Sequence, residues 1–376
     1  MRNPVLSICK GIAIILMVIG HAEGPELLTN FIYTFHMPLF FMAAGYFFSS
    51  KNLSDPWNFC VKRFKGLYVP FVTWSLIFLL LHNVWHHFGI LNEEFGNWEG
   101  GVTHPYSWST AVDRFVRILF TMSGYDEFMA GAFWFFRGLL LASIGYLVLH
   151  KLIEGNTRLS GIGVVVAVMA VTVAFNAFRF ANGIKIPLIP NGGLRETWGI
   201  FFFGAGIIFR RYEKVFIRRW PLLLLSFLFI LGAGKLHTCG MNNAGKMIDL
   251  LTLPFTGFIG FLMIYWLSGY IVEFGEKTRA GERLRRLLCF IGDNTLYILL
   301  WHIPAYKLVS LMKIHYYDLD FGQIGCHMVI HHNNTDFFWV LYSIVGVAVP
   351  LLIIAGWRAW QRRNYSERGD TAVFRG

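Results

Sequence analysis

The sequence predicts an all-α, polytopic membrane protein with about ten transmembrane helices and both termini in the cytoplasm. Three observations predict it. Of 376 residues, 55% are hydrophobic and only 15% are charged, whereas an average soluble domain carries about 25% charge; the mean hydropathy is +0.51. Apolar runs of about 20 residues, the length that crosses a bilayer, recur between polar or Gly/Pro-rich breaks along the chain. The Lys and Arg residues, 33 against 22 Asp and Glu, fall mostly into alternate connections, as the positive-inside rule requires. The positive charge is therefore topology, and no nucleic-acid partner is expected. So apolar and aromatic a composition, with 37 Phe and 13 Trp, also excludes a disordered or fibrous chain.

The first span is expected at 4–22. No small-residue cleavage site follows it and polar residues sit inside it, so it reads as a span and not a signal peptide. A short link leads to the second span at 31–49. The third, at 66–90, follows the basic residues Lys62, Arg63 and Lys65. A long outer connection at 91–128 carries Glu93, Glu94, Glu99, Asp113, Asp126 and Glu127 with Trp98, Tyr106 and Trp108. Loops of that length line a site mouth or, alternatively, form an interfacial aromatic belt with a solvated acidic rim. Further spans are expected at 129–150, 161–178, 197–212, 219–237, 247–272, 288–312 and 336–359. With the N-terminus inside, Arg210, Arg211, Lys214, Arg218, Arg219 and the stretch Lys277 to Arg286 face the cytoplasm. Residues 1–360 form one transmembrane domain, and 361–376 a short basic tail. No internal repeat of the kind seen in many transporters is visible.

Ionisable groups inside spans are expensive, so each is a candidate functional group. Lys10 and His21 in the first span lie about three helical turns, or about 16 Å, apart on one face. Snorkelling of Lys10 and an interfacial place for His21 is the structural alternative. The stretch Phe35-His36-Met37-Pro38 puts a second histidine at a similar depth, with a proline that removes a backbone donor and weakens the helix. Trp134 and Arg137 follow in the fourth span, and Asp293, Asn294, Tyr297 and His302 in the ninth, where His again precedes Pro by two residues. Lys62, Arg63 and Lys65 suit an anionic ligand; a plain positive-inside cluster accounts for them equally. His82, His86 and His87, and likewise His327, His331 and His332, lack an acidic residue at ligand spacing, and no metal is expected there. The five cysteines form no CxxC pair; Cys239 and Cys326 are both placed outside, where a disulfide is an option.

Lys10-Gly11 with His21 ten positions beyond the glycine, His36-x-Pro38-Leu39-Phe40-Phe41 with Gly45, and Lys62, Arg63, Lys65, Pro70 and Trp74 around the third span together carry a resemblance. So do Phe133-Trp134-Phe135 and the segment from Asn294 to His302. The chain resembles the acyltransferase-3 group of bacterial integral-membrane O-acyltransferases, especially the fucose 4-O-acetylase-like branch. It departs from the pattern at Ser7, where that group usually has Asp.

The resemblance implies an acyl-CoA-dependent O-acyltransferase of the bacterial inner membrane. An acyl group, foremost acetyl, passes from cytoplasmic acyl-CoA to a sugar hydroxyl of a surface glycan or its lipid-linked precursor. Acetyl-CoA is then a donor substrate and no cofactor is permanently bound; the other partners are the glycan acceptor and membrane lipids. Lys10, Lys62, Arg63 and Lys65 would neutralise the phosphates of CoA. His21 would act as general base toward the acceptor hydroxyl, or alternatively carry the acyl group covalently. His36 would orient His21 or donate to the oxyanion, while Trp134, Arg137, Asn294, Tyr297 and His302 would line the site. The rival reading is a transporter or flippase of a small anion or a lipid-linked sugar, which needs only intramembrane charges and Gly/Pro-interrupted spans.

Overall fold

The computed structural model describes residues 3–96, 102–237, 239–332 and 335–367. Within them the chain is all-α, with no strand. In chain order the helices are α1 (Pro4–His21), α2 (Glu26–Tyr33), α3 (His36–Tyr46), α4 (Ser50–Ser54), α5 (Pro56–Arg63), α6 (Val69–His87), α7 (Trp108–Thr121) and α8 (Trp134–Asn156). They continue as α9 (Ile162–Asn182), α10 (Leu194–Tyr212), α11 (Trp220–Leu236), α12 (Asp249–Lys277), α13 (Arg279–Asp293), α14 (Thr295–Tyr316) and α15 (Phe338–Glu367). Eight helical segments are long and apolar enough to cross a membrane, which makes this a multi-pass membrane protein. The two other expected spans fall on α10, which carries Arg195, Glu196, Arg210 and Arg211, and on the 17-residue apolar α11.

Four departures from the expected spans shape the interior. The second span is two helices: it breaks at Thr34 and Phe35, so His36 opens α3. Pro38 consequently sits in the first turn of α3, where a backbone N–H has no helical partner to lose, and it does not weaken the helix as expected. The third span starts ten residues early and runs from Pro56 to His87 through a π-helical turn at Phe64–Tyr68. The ninth is divided at Asn294 into the amphipathic α13 and the apolar α14. The long outer connection folds in part as α7, and α15 runs on to Glu367, into the expected tail, of which residues 368–376 lie outside the described residues.

Helix α1 is central and touches α2, α3, α12, α13, α14 and α15. Packing between membrane helices depends on close approach more than on the hydrophobic effect, and small residues permit it. On α1, a Cβ at Gly11 would collide with the Leu288 carbonyl of α13; across the same seam, one at Gly292 would collide with that of Ser7. The seam between α3 and α10 repeats the device, with Gly45 against the Phe203 carbonyl and Gly206 against that of Met42. These two seams fix the helices that carry His21 and His36.

Candidate active site

His21 is the last residue of α1, a place where four backbone carbonyls lack helical partners. Two tyrosines satisfy two of them. Tyr306 Oη donates to the Val18 carbonyl at 2.7 Å and Tyr33 Oη donates to that of Gly20 at 2.8 Å. The turn bearing His21 is thus tied to α2 and α14. The imidazole meets that of His302 edge to face, with ring centroids 5.3 Å apart.

Hydrogen bonds fix the tautomers of the other two histidines. His36 Nδ1 lies 2.9 Å from the Ile32 carbonyl, and His302 Nδ1 lies 2.9 Å from the Ile298 carbonyl. A carbonyl only accepts, so Nδ1 carries the proton in both and Nε2 of the neutral ring is an acceptor. His302 Nε2 is buried and has no hydrogen-bond partner. With Nδ1 donating to the Ile32 carbonyl, the neutral His36 ring presents Nε2 as an acceptor.

Two cavities meet at His21. The inner one, about 380 Å³, starts at Gly66 and Leu67 of the π-helical turn and Thr295 of α14, and passes Ile14 and Met17 on the way to His21 and His36. The outer one, about 590 Å³, runs from His21 past Glu127, Asn191 and His327. Four residues line both: His21, Gly131, Arg195 and Asn242. In the outer cavity, burial pushes the His327 imidazole down to about 3, with the charges of His21 and Lys307 adding to the effect.

Of the expected site residues, His21, His36 and Trp134 line the inner cavity, and His302 supports it from behind His21. Asn294 caps the break before α14, its Nδ2 donating to the Phe290 carbonyl, and so places Thr295 at the cavity wall. Tyr297 is half-buried beside Arg358, away from the cavity. Arg137 is also not a lining residue. It is 1% exposed, and its Nε donates to Glu196 Oε1 at 2.9 Å while Nη1 donates to the Met122 carbonyl at 3.0 Å. Buried charge is stable only when paired in this way.

Lys62 and Lys65 are exposed beside the π-helical turn, and the Arg63 guanidinium packs over Phe59 and Phe203. Lys10 is half-buried one helical turn before Ile14, where the inner cavity begins. Ser7, at the position where a carboxylate was expected from the resemblance, donates to Asp293 Oδ1 at 3.1 Å, so a carboxylate from α13 reaches that place.

Sequence reasoning missed Arg195, Asn242, Tyr33 and Tyr306 near His21, while Glu127, named in the long outer connection, does line the outer cavity. No spacing rule links them to His21, because each is brought there by a different helix or loop. It also took the histidine clusters as separate objects. His82 bonds Asp126 at 2.7 Å and the His104 carbonyl at 3.0 Å, stacked on Tyr106, so Asp126 is a buried partner and not part of an acidic rim. Cys239 and Cys326 are free and buried rather than bridged, the latter bonded to the Gly96 carbonyl. Cys239 instead gathers with His237 and Asp249, the ligand atoms all within 4.8 Å of one another. Burial holds its thiol up at about 12.

A central helix thus ends in a histidine that lines two cavities, the inner one near basic residues. The acyltransferase-3 family, described as an acyltransferase domain, matches residues 3–355. The chain belongs to this family. It is accordingly a membrane acyltransferase. No curated protein and no solved structure matches it.

Proposed function

We propose that this acyltransferase takes an acyl group, foremost acetyl, from cytoplasmic acyl-CoA and transfers it to a sugar hydroxyl of a surface glycan or its lipid-linked precursor. The membrane in question is then the inner membrane of a bacterium. The observation that carries this reading is the position of His21, which lines an inner and an outer cavity at the point where they meet. Donor and acceptor can approach one imidazole from opposite sides.

The inner cavity is mostly apolar, which suits a pantetheine arm, while the phosphates of CoA would remain at its basic entrance. Lys65 adjoins Gly66 at that entrance and Lys10 lies a turn before Ile14. Lys62 and Arg63 extend the positive surface. The outer cavity offers Glu127, Asn191, Asn242 and His327 to a polyhydroxylated acceptor. His21 then acts as general base, taking the hydroxyl proton as oxygen attacks the thioester carbon. His302, a neutral ring with a bare Nε2 facing a buried space, holds the His21 ring in place; His36 orients it from the inner side.

The test is release of CoA thiol by purified protein given acetyl-CoA and a panel of sugars. The wild type is expected to show acceptor-stimulated release, and His21→Ala to show none while retaining its melting temperature. Wild-type rates in His21→Ala would remove the base assignment. Binding of acetyl-CoA without release for any acceptor, together with movement of a labelled sugar across vesicles, would favour the transporter reading.

A further inference from the structure

Arg195, half-buried on α10, differs from the buried Arg137 one helix away. Its neighbour Glu196 turns away to pair with Arg137. No ion pair or hydrogen bond to any described residue engages the Arg195 guanidinium, and its buried Nε is without a partner. The guanidinium lies over the Trp134 ring, 4.3 Å from its centroid, a contact that orients a cation without neutralising it. The charge is aimed at the junction, since Arg195 lines both cavities together with His21 and Asn242. Glu127 also faces the outer cavity, but it is exposed and makes no ion pair with Arg195.

A guanidinium cannot shed its proton at working pH, so leaving it unpaired in a half-buried site is costly unless an anion completes it. The anion must appear where the cavities meet, which is where the thioester carbonyl must lie for His21 to serve the attacking hydroxyl. We infer that Arg195, with Asn242 lining the same junction, stabilises the oxyanion formed during acyl transfer. The inference rests on the acyl-CoA reading above and deepens it.

The step balances as follows. The acceptor oxygen forms a bond to the thioester carbon, its proton passes to the His21 imidazole, and the carbonyl π electrons move onto oxygen, opposite Arg195. Collapse restores the C=O bond, breaks C–S, and returns the proton from imidazolium to the departing sulfur. An ester and CoA thiol result. Donors aimed at charge that exists only in the transition state act on kcat, and loss of one such donor costs about 10²–10³ in rate.

Thiol release by the full-length protein in detergent tests this, with acetyl-CoA and the acceptor varied separately. Arg195→Gln is expected to lower kcat about 10²–10³-fold, with KM for acetyl-CoA and for the acceptor each within about threefold of wild type. Arg195→Lys, which keeps the charge, is expected to lose less, and added guanidinium ion to restore part of the rate of Arg195→Ala. The Lys variant and the rescue keep the test decisive if the Gln variant is unstable. An unchanged kcat, or a loss confined to KM for the acceptor, would overturn the inference and make Arg195 a binding residue alone. Thiol release that is absent even from wild type would overturn the parent reading and this one with it; release by Arg195→Gln at the wild-type kcat overturns only this one.

Discussion

Arg195 and Glu196 are adjacent on α10 yet belong to different regions. Glu196 faces a buried region where it pairs with Arg137, whose Nη1 also donates to the Met122 carbonyl; Arg137 Nη2 and Glu196 Oε2 stay without a hydrogen bond there. Arg195 faces the open junction, where it makes no ion pair with any described residue although Glu127 lines the outer cavity. The difference separates two uses of a buried charge. Where cation and anion pair with each other the charges hold helices together; at the junction a cation without an ion pair faces a cavity, where a substrate can complete it.

The largest effect on the closed side should come from Arg137→Ala. It would strand Glu196 as an unpaired buried carboxylate, at a cost of about 3–5 kcal/mol, and thermal unfolding in detergent should fall steeply. Replacing both partners, Arg137→Met with Glu196→Leu, should recover most of that stability, because removing a buried pair together is often near neutral. Should the double variant stay as unstable as the single one, the pair would be more than a mutual satisfaction of charge. At the junction the comparison reverses, since His21→Ala and Arg195→Gln are expected to cost activity and leave the melting temperature nearly unchanged.

A smaller loss is expected from the seams that hold the two regions in register. Gly206→Ala places a methyl against the Met42 carbonyl of α3, a backbone atom that cannot step aside as a side chain would. Overpacking of this kind costs about 1–3 kcal/mol. Because α3 carries His36, a fall in kcat should accompany the fall in melting temperature. A stable Gly206→Ala with normal kcat would show that α3 and α10 can separate without disturbing the site.

Smaller again is the effect expected of His302. Its Nε2 has no protein partner and lies beside His21. His302→Phe keeps the ring packing but loses that lone pair, and a fall in kcat is expected, at most the roughly 10²-fold that a misplacement of about 1 Å costs. The pH profile should move with it, which a merely structural role would not produce. An unaltered profile would make His302 packing alone.

Much of this arrangement was legible in the sequence, and what was not has physical reasons. The spans and their orientation follow from apolar length and the placing of Lys and Arg, quantities that are local. His21 and His36 were visible because an imidazole inside an apolar run stands out. The break at Phe35, the π-helical turn at Phe64–Tyr68 and the division at Asn294 were hidden, since hydropathy averages over about 20 residues and an irregular turn barely changes it. Arg137 and Arg195 look alike in a sequence. Only the fold shows that one finds Glu196 and the other finds a cavity. The bonds of Ser7 to Asp293 and of His82 to Asp126 span 286 and 44 residues, distances over which no spacing rule reaches.

The mildest prediction concerns His327, on the wall of the outer cavity. Its imidazole is held down to about 3 by burial, against about 6.5 in an unfolded chain. As pH falls, the unfolded chain binds the proton first, so the stability tied to the neutral ring is fully present above about pH 6.5. It is lost progressively between there and about pH 3. Between pH 7 and pH 6 this share amounts to about 0.7 kcal/mol. Thermal melts of the wild type should therefore weaken over that interval, and His327→Gln should weaken less by that amount. The same variant should leave the activity profile near neutrality unmoved, because a ring that stays neutral there has no titration to contribute. If the activity profile shifted instead, His327 would belong with His21 and Arg195 among the groups whose charge the substrate completes.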